Sequence, residues 1–133
     1  MKKLVVVFGM VLMAAIVMAA CGGGSSQGNN SIEVKMTDFQ FSPNQWKVSS
    51  GGEVNLKISN NGTVEHEFAI MKAPVSMPFS DDDEPNVLWE ISLAAGESKT
   101  ATFTAPMNAG EYDIVCGIPG HIESGMTGKL IVE

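Results

Sequence analysis

Arginine is absent from the 133-residue chain, and histidine and cysteine occur only twice each. Eight lysines face fifteen Asp and Glu residues, for a formal net charge of −7. A surface so short of positive charge does not attach to nucleic acid or to anionic headgroups by charge. It is compatible with steering towards a basic partner. The only histidines, His66 and His121, exclude any site built on three or more imidazoles. Beyond the first twenty residues no long amphipathic helical pattern and no internal repeat is found, so a helical architecture is excluded as well.

The one long apolar run is N-terminal. Lys2 and Lys3 precede Leu4 to Met18, and Met18-Ala-Ala-Cys21 then places small residues before a cysteine. This is a secretory signal pattern. It resembles a lipobox, whose cysteine becomes N-terminal and lipidated after cleavage. A retained membrane anchor is the alternative, because the run approaches spanning length. The expected organisation is a lipoprotein signal peptide over 1–20, lipidated Cys21 with a flexible Gly/Ser/Asn linker over 21–31, and one domain over 32–133. The domain is then extracytoplasmic, in the periplasm or on the outer face of the cytoplasmic membrane, and lipid-anchored. With Cys21 lipidated, Cys116 has no disulfide partner in an oxidising compartment. It is then either a ligand or a small buried core thiol.

From Ile32 onward, short runs rich in Val, Ile, Phe and Thr are broken by Gly, Pro, Asn and Asp. That pattern predicts an all-β sandwich. Strands are expected over 32–37, 46–48, 53–59, 65–71, 87–93 and 98–104, with a last pair flanking 116–126, and a bend over 38–43. Val54, Leu56 and Ile58 alternate with Asn55, Lys57 and Ser59, which sets an inward face. His66 shares parity with Phe68 and Ile70, so it points to the core side. Cys116 shares parity with Tyr112 and Ile114, and Met126 with Leu130 and Val132. Core filling is expected for Met36, Met71, Met77 and Met107, and Trp89 is expected in the core. The acidic run Asp81–Glu84 reads as a solvated loop, since it lacks the spaced oxygen ligands of a calcium loop.

Cys116-Gly-Ile-Pro-Gly-His121-Ile-Glu-Ser-Gly-Met126 brings a thiol, an imidazole and a thioether into one short loop. Thiolate and imidazole suit copper, and a thioether adds a soft, weak ligand. A trigonal site of two imidazoles and one thiolate with a long axial Met needs one more histidine, and His66 alone remains. The candidate metal ligands are therefore His66, Cys116, His121 and Met126, for one copper. A structural zinc site prefers four Cys or His ligands, and a thioether is a poor substitute.

The Cys-x4-His-x4-Met spacing, with Gly110-Glu-Tyr-Asp-Ile-Val before it and Thr-Gly128-Lys-Leu-Ile-Val after it, resembles the copper loop of cupredoxins, most closely the auracyanin type. Asn60-Asn-Gly-Thr-Val-Glu-His66-Glu-Phe68 resembles that family's first-histidine segment. The resemblance implies a Greek-key β-sandwich of about seven to eight strands carrying a mononuclear type 1 copper. It further implies a membrane-tethered one-electron carrier, monomeric, exchanging electrons with a cytochrome or membrane electron-transfer complex. A module for buffering or delivering copper would use the same ligands and is the alternative. No enzyme is expected, because copper oxidase or nitrite reductase chemistry needs further copper ligands and the two histidines are exhausted. A binuclear cytochrome-oxidase-type copper site would need a second nearby cysteine. One departure stands out: many members carry Asn directly after the first histidine, where it ties the ligand loops together, and this chain has Glu67.

Overall fold

The computed structural model describes residues 30–133 apart from Ser76, Pro78 and Asp81. The signal segment, Cys21 and nearly all of the linker lie outside the described residues. The described residues form nine strands: β1 (Ser31–Thr37), β2 (Gln40–Ser42), β3 (Gln45–Val48), β4 (Glu53–Asn60), β5 (His66–Met71), β6 (Val87–Leu93), β7 (Ser98–Thr104), β8 (Gly110–Val115) and β9 (Thr127–Val132), and period-two alternation is clearest in β1 and β4. A 3-10 turn, Glu84–Asn86, is the one helical element among the described residues.

The strands form two mixed sheets, ordered β2-β1-β4-β7 and β3-β9-β8-β5-β6. β1 runs parallel to β4 and β3 parallel to β9. β7 returns to lie antiparallel beside β4 after the β5–β6 hairpin has crossed to the other sheet, a Greek-key path. The inward residues of β1 and β4 meet Phe68, Ile70, Ile114 and Leu130 of the second sheet in one buried cluster. Trp46 lies in this core between Phe41 and Phe68, its ring 6.3 Å and 5.4 Å from theirs. Its indole N–H donates to the Glu33 carbonyl at 3.1 Å, so the ring is buried without an orphaned donor.

The structure departs from the sequence reading in several places. Nine strands stand where seven to eight were expected. The additional one is β2, within the expected bend, which pairs Phe41 with Met36 of β1 because its aromatic ring is taken into the core. The folded chain also starts before residue 32. Ser31 opens β1, the Asn30 carbonyl accepts the Asn55 N–H at 2.7 Å, and its side-chain oxygen accepts the Ser49 N–H at 2.9 Å. Polar side chains suggested linker, but backbone pairing needs no apolar side chain.

In β5, Ala69 and Met71 are buried along with Phe68 and Ile70. The segment after β5 folds back over the outer face of the sheet, and Val75, Phe79 and Val87 cover Ala69, Met71, Val115 and Ile122. The Val75 N–H donates to Asp113 at 3.2 Å and pins this strap. Within the acidic run, Asp83 turns inward to accept the Ser80 N–H at 3.0 Å, while Asp82 and Glu84 stay exposed. Finally, Met36 and Met71 fill core, but Met77 and Met107 are 67% and 79% exposed. Both lie in connections between strands, where no facing sheet covers them. Trp89 is half-buried, its ring tilted by 33° against Phe103 of the facing sheet at 5.1 Å.

The register places the chemistry at one end of the sandwich. Met36 pairs with Asn60, His66 with Leu93, and Val115 with Thr127. The ends of β1, β4, β6 and β8 and the starts of β5 and β9 therefore meet there.

Candidate metal centre

Asn60 shapes the turn that delivers the first histidine. Its buried amide donates to the carbonyls of Val64 and Leu93 at 2.8 Å and 2.9 Å, and its oxygen accepts the Gly62 N–H at 2.9 Å. His66 follows as the first residue of β5, wholly buried. The second ligand segment closes on itself. The His121 N–H donates to the Ile118 carbonyl at 3.0 Å, the Met126 N–H to the His121 carbonyl at 3.0 Å, and the Cys116 N–H to the Met126 carbonyl at 3.3 Å. Gly120 and Gly125 take φ of 87° and 97° in this loop, a left-handed backbone that glycine adopts without a Cβ clash.

Three donor atoms converge. Nδ1 of His66 lies 3.2 Å from Nδ1 of His121, and that nitrogen lies 3.2 Å from Cys116 Sγ. The three atoms fall within 4.8 Å of one another. Cys116 and Met126 are fully buried in the same cluster, and His121 sits at the rim with 9% of its surface exposed. Phe39 stands edge-on to both imidazoles, 6.0 Å from His66 and 4.7 Å from His121.

Burial pushes the Cys116 thiol up, and the Glu67 and Glu65 carboxylates add to this against N–H donors that lower it. The N–H of Glu67 is one such donor, 3.3 Å from Sγ. Burial first, and His66 second, hold His121 below the ordinary imidazole range, so it rests neutral. On the far side of His66, Nε2 meets Asp38 Oδ1 at 2.8 Å. The hydroxyl and N–H of Thr63, followed by His66, draw Asp38 down to about 2. An ionised carboxylate can only accept, so Nε2 of His66 carries a proton, and in the neutral ring Nδ1 is the nitrogen left with a lone pair.

This donor set fits one copper ion. A thiol and two imidazole nitrogens converge in a buried, hydrogen-bonded pocket, and a thioether belongs to the same closed loop. A family model described as the cupredoxin-like domain matches residues 9–132. The chain belongs to this family.

Two of its relatives match over most of the chain. The copper-resistant cuproprotein CopI of Rubrivivax gelatinosus is 31% identical over 119 residues, spanning 82% of this chain and 70% of the relative. Auracyanin-A of Chloroflexus aurantiacus is 31% identical over 128 residues, spanning 82% and 78%. The fold matches reduced auracyanin of Roseiflexus castenholzii with a TM-score of 0.66 at 24% identity, over 78% of this chain and 97% of that one. The cofactor that this cupredoxin-like family and this donor set have in common is copper.

Glu67 bridges the two ligand segments. Its Oε1 accepts the Gly117 N–H at 3.2 Å while its own N–H reaches the Cys116 sulfur. A carboxylate thus joins the two ligand segments. Its acidity is weakened by burial and then by Glu90. Asp38, Asn60, Thr63 and Phe39 were not singled out as site residues from sequence. Asp38 and Phe39 fall in a bend 28 residues from His66, and nothing local to that bend signals a partner so distant.

Proposed function

We propose that the protein is an extracytoplasmic one-electron carrier holding a single copper ion, tethered to a membrane through lipidated Cys21. His66 and His121 would bind through Nδ1, Cys116 as thiolate and Met126 through its thioether. The bound metal supplies a one-electron couple. Copper of this kind cycles with little cost when its ligands move little. The observation that carries the reading is the convergence of His66, Cys116 and His121 donors from two distant segments, each held by the protein's own hydrogen bonds. Electrons would pass by way of the partly exposed His121 edge to a redox protein, a cytochrome or a membrane electron-transfer complex, with the carrier monomeric. No catalytic role is proposed, because both histidines of the chain lie in this one site.

The test is a Cu(II) titration followed by visible absorption and paramagnetic resonance together. An intense thiolate-to-copper band with narrow hyperfine splitting, saturating at one equivalent, is expected. Weak absorption with ordinary tetragonal signals would reject the site.

Similarity to a copper-resistant cuproprotein supports a second reading, copper buffering or delivery with the same ligands. Fast, reversible electron exchange with a cytochrome at constant copper content argues for the carrier. Ready transfer of copper to an acceptor protein argues for delivery.

A further inference from the structure

Asp38 is held more firmly than a turn residue needs. Besides the His66 contact, the Thr63 N–H donates to both of its oxygens at 3.0 Å, and the Thr63 hydroxyl donates to Oδ2 at 2.7 Å. The facing turn is shaped for this meeting. A Cβ on Gly62 would stand 2.2 Å from Asp38 Oδ1 and 2.9 Å from His66 Nε2, so a residue with a side chain would force the pair apart. His66 is fully buried. Its Nε2–H, deprived of water, therefore depends on this one acceptor.

We propose that Asp38 is a positioning residue for the copper site, acting through His66. Its carboxylate keeps the proton on Nε2, aims the bare Nδ1 at the other two donors, and sets a negative charge behind that ligand. The proposal rests on the copper reading above. A neutral imidazole carries one proton, and an acceptor at one nitrogen decides which nitrogen is left to bind a metal. A carboxylate in that position also raises the basicity of the ligating nitrogen. A divalent ion gains more from the added negative charge than a monovalent one. Asp38 therefore favours Cu(II) over Cu(I) and lowers the reduction potential.

The test compares the full chain in detergent with Asp38→Asn and Asp38→Ala, all at pH 7. Nitrogen-15 NMR of the metal-free proteins reads the His66 tautomer without any copper. Wild type is expected as Nε2–H, with Nδ1–H gaining in Asp38→Ala. Wild-type His66 resting as Nδ1–H overturns the proposal. Copper-loaded proteins then give affinities and potential. Asp38→Asn keeps the shape and an acceptor oxygen but not the charge. Its Cu(II) affinity is expected to fall about 10- to 100-fold, with a smaller fall for Cu(I) and a higher potential. A tenfold difference between the two losses reads as about 59 mV for a one-electron couple.

Unchanged potential and affinity in Asp38→Asn overturn the electrostatic role. If Asp38→Ala does not fold, Asp38→Asn and the wild-type tautomer still decide. A wild type that takes up no copper overturns the proposed function and the copper role of Asp38 together. The tautomer result stays independent of that failure.

Discussion

The two halves of the metal centre are held in different ways. Cys116, His121 and Met126 lie within eleven consecutive residues, and their loop is closed by its own backbone hydrogen bonds. His66 stands alone, and its support comes from Asp38 after β1, Asn60 ending β4, Thr63 in the turn and Leu93 ending β6. One half is a local structure. The other exists only when both sheets have assembled. Ligand identity is thus carried by short-range spacing, and ligand orientation by long-range packing.

The loop half is broken most completely by Cys116→Ser. The intense visible band and stoichiometric Cu(II) uptake are both expected to vanish on titration. A variant that stayed coloured would show that the thiolate is not the donor.

The assembled half is broken without touching a donor by Asn60→Ala. Three hydrogen bonds, one buried and two part-buried, disappear with that amide, each worth about 1 kcal/mol. A loss of about 3 kcal/mol is expected, or roughly 15 °C in Tm for a domain of this size. Thermal unfolding of the metal-free protein measures it. A drop of only a few degrees would mean that the rest of the turn holds His66 unaided.

Protonation sharpens the contrast between Cys116 and the imidazoles. The thiol is pushed up by burial and His121 is held down. At pH 7 the metal-free thiol therefore keeps its proton while the neutral His121 carries no second proton to release. Copper uptake at pH 7 is expected to release about one proton, and affinity to weaken as pH falls. Titration calorimetry in two buffers of different ionisation heat counts the protons. Release near zero would mean a preformed thiolate.

The smallest effect belongs to the far end of the sandwich. Lys47 and Glu133 pair at 2.6 Å with both side chains largely exposed. Lys47→Ala is expected to cost less than about 1 kcal/mol and to leave the copper spectrum unchanged. A spectral change would show that the two ends are coupled.

The strands that could be read in advance are those with one wet face. β1 and β4 alternate almost strictly between exposed and buried, and their positions followed directly from period two. β5 lacks this alternation because its second face is covered by the chain that follows it. β2, at three residues, is too short to show a period at all. Glu67 stands in plain sight beside the first histidine, but its bond to the Gly117 N–H joins residues 50 apart.

Donor types and their separation along the chain belong to the residues themselves. Two imidazoles, one thiol beside one thioether and an apolar period of two therefore determined the metal class and the β-sandwich, and marked the four candidate ligands. Which atoms of those ligands face each other was decided only in three dimensions. Nδ1 rather than Nε2 of His66 points to the centre because Asp38 occupies the other nitrogen. That contact forms once β1 and β5, on opposite sheets, bring their ends to the same edge of the core.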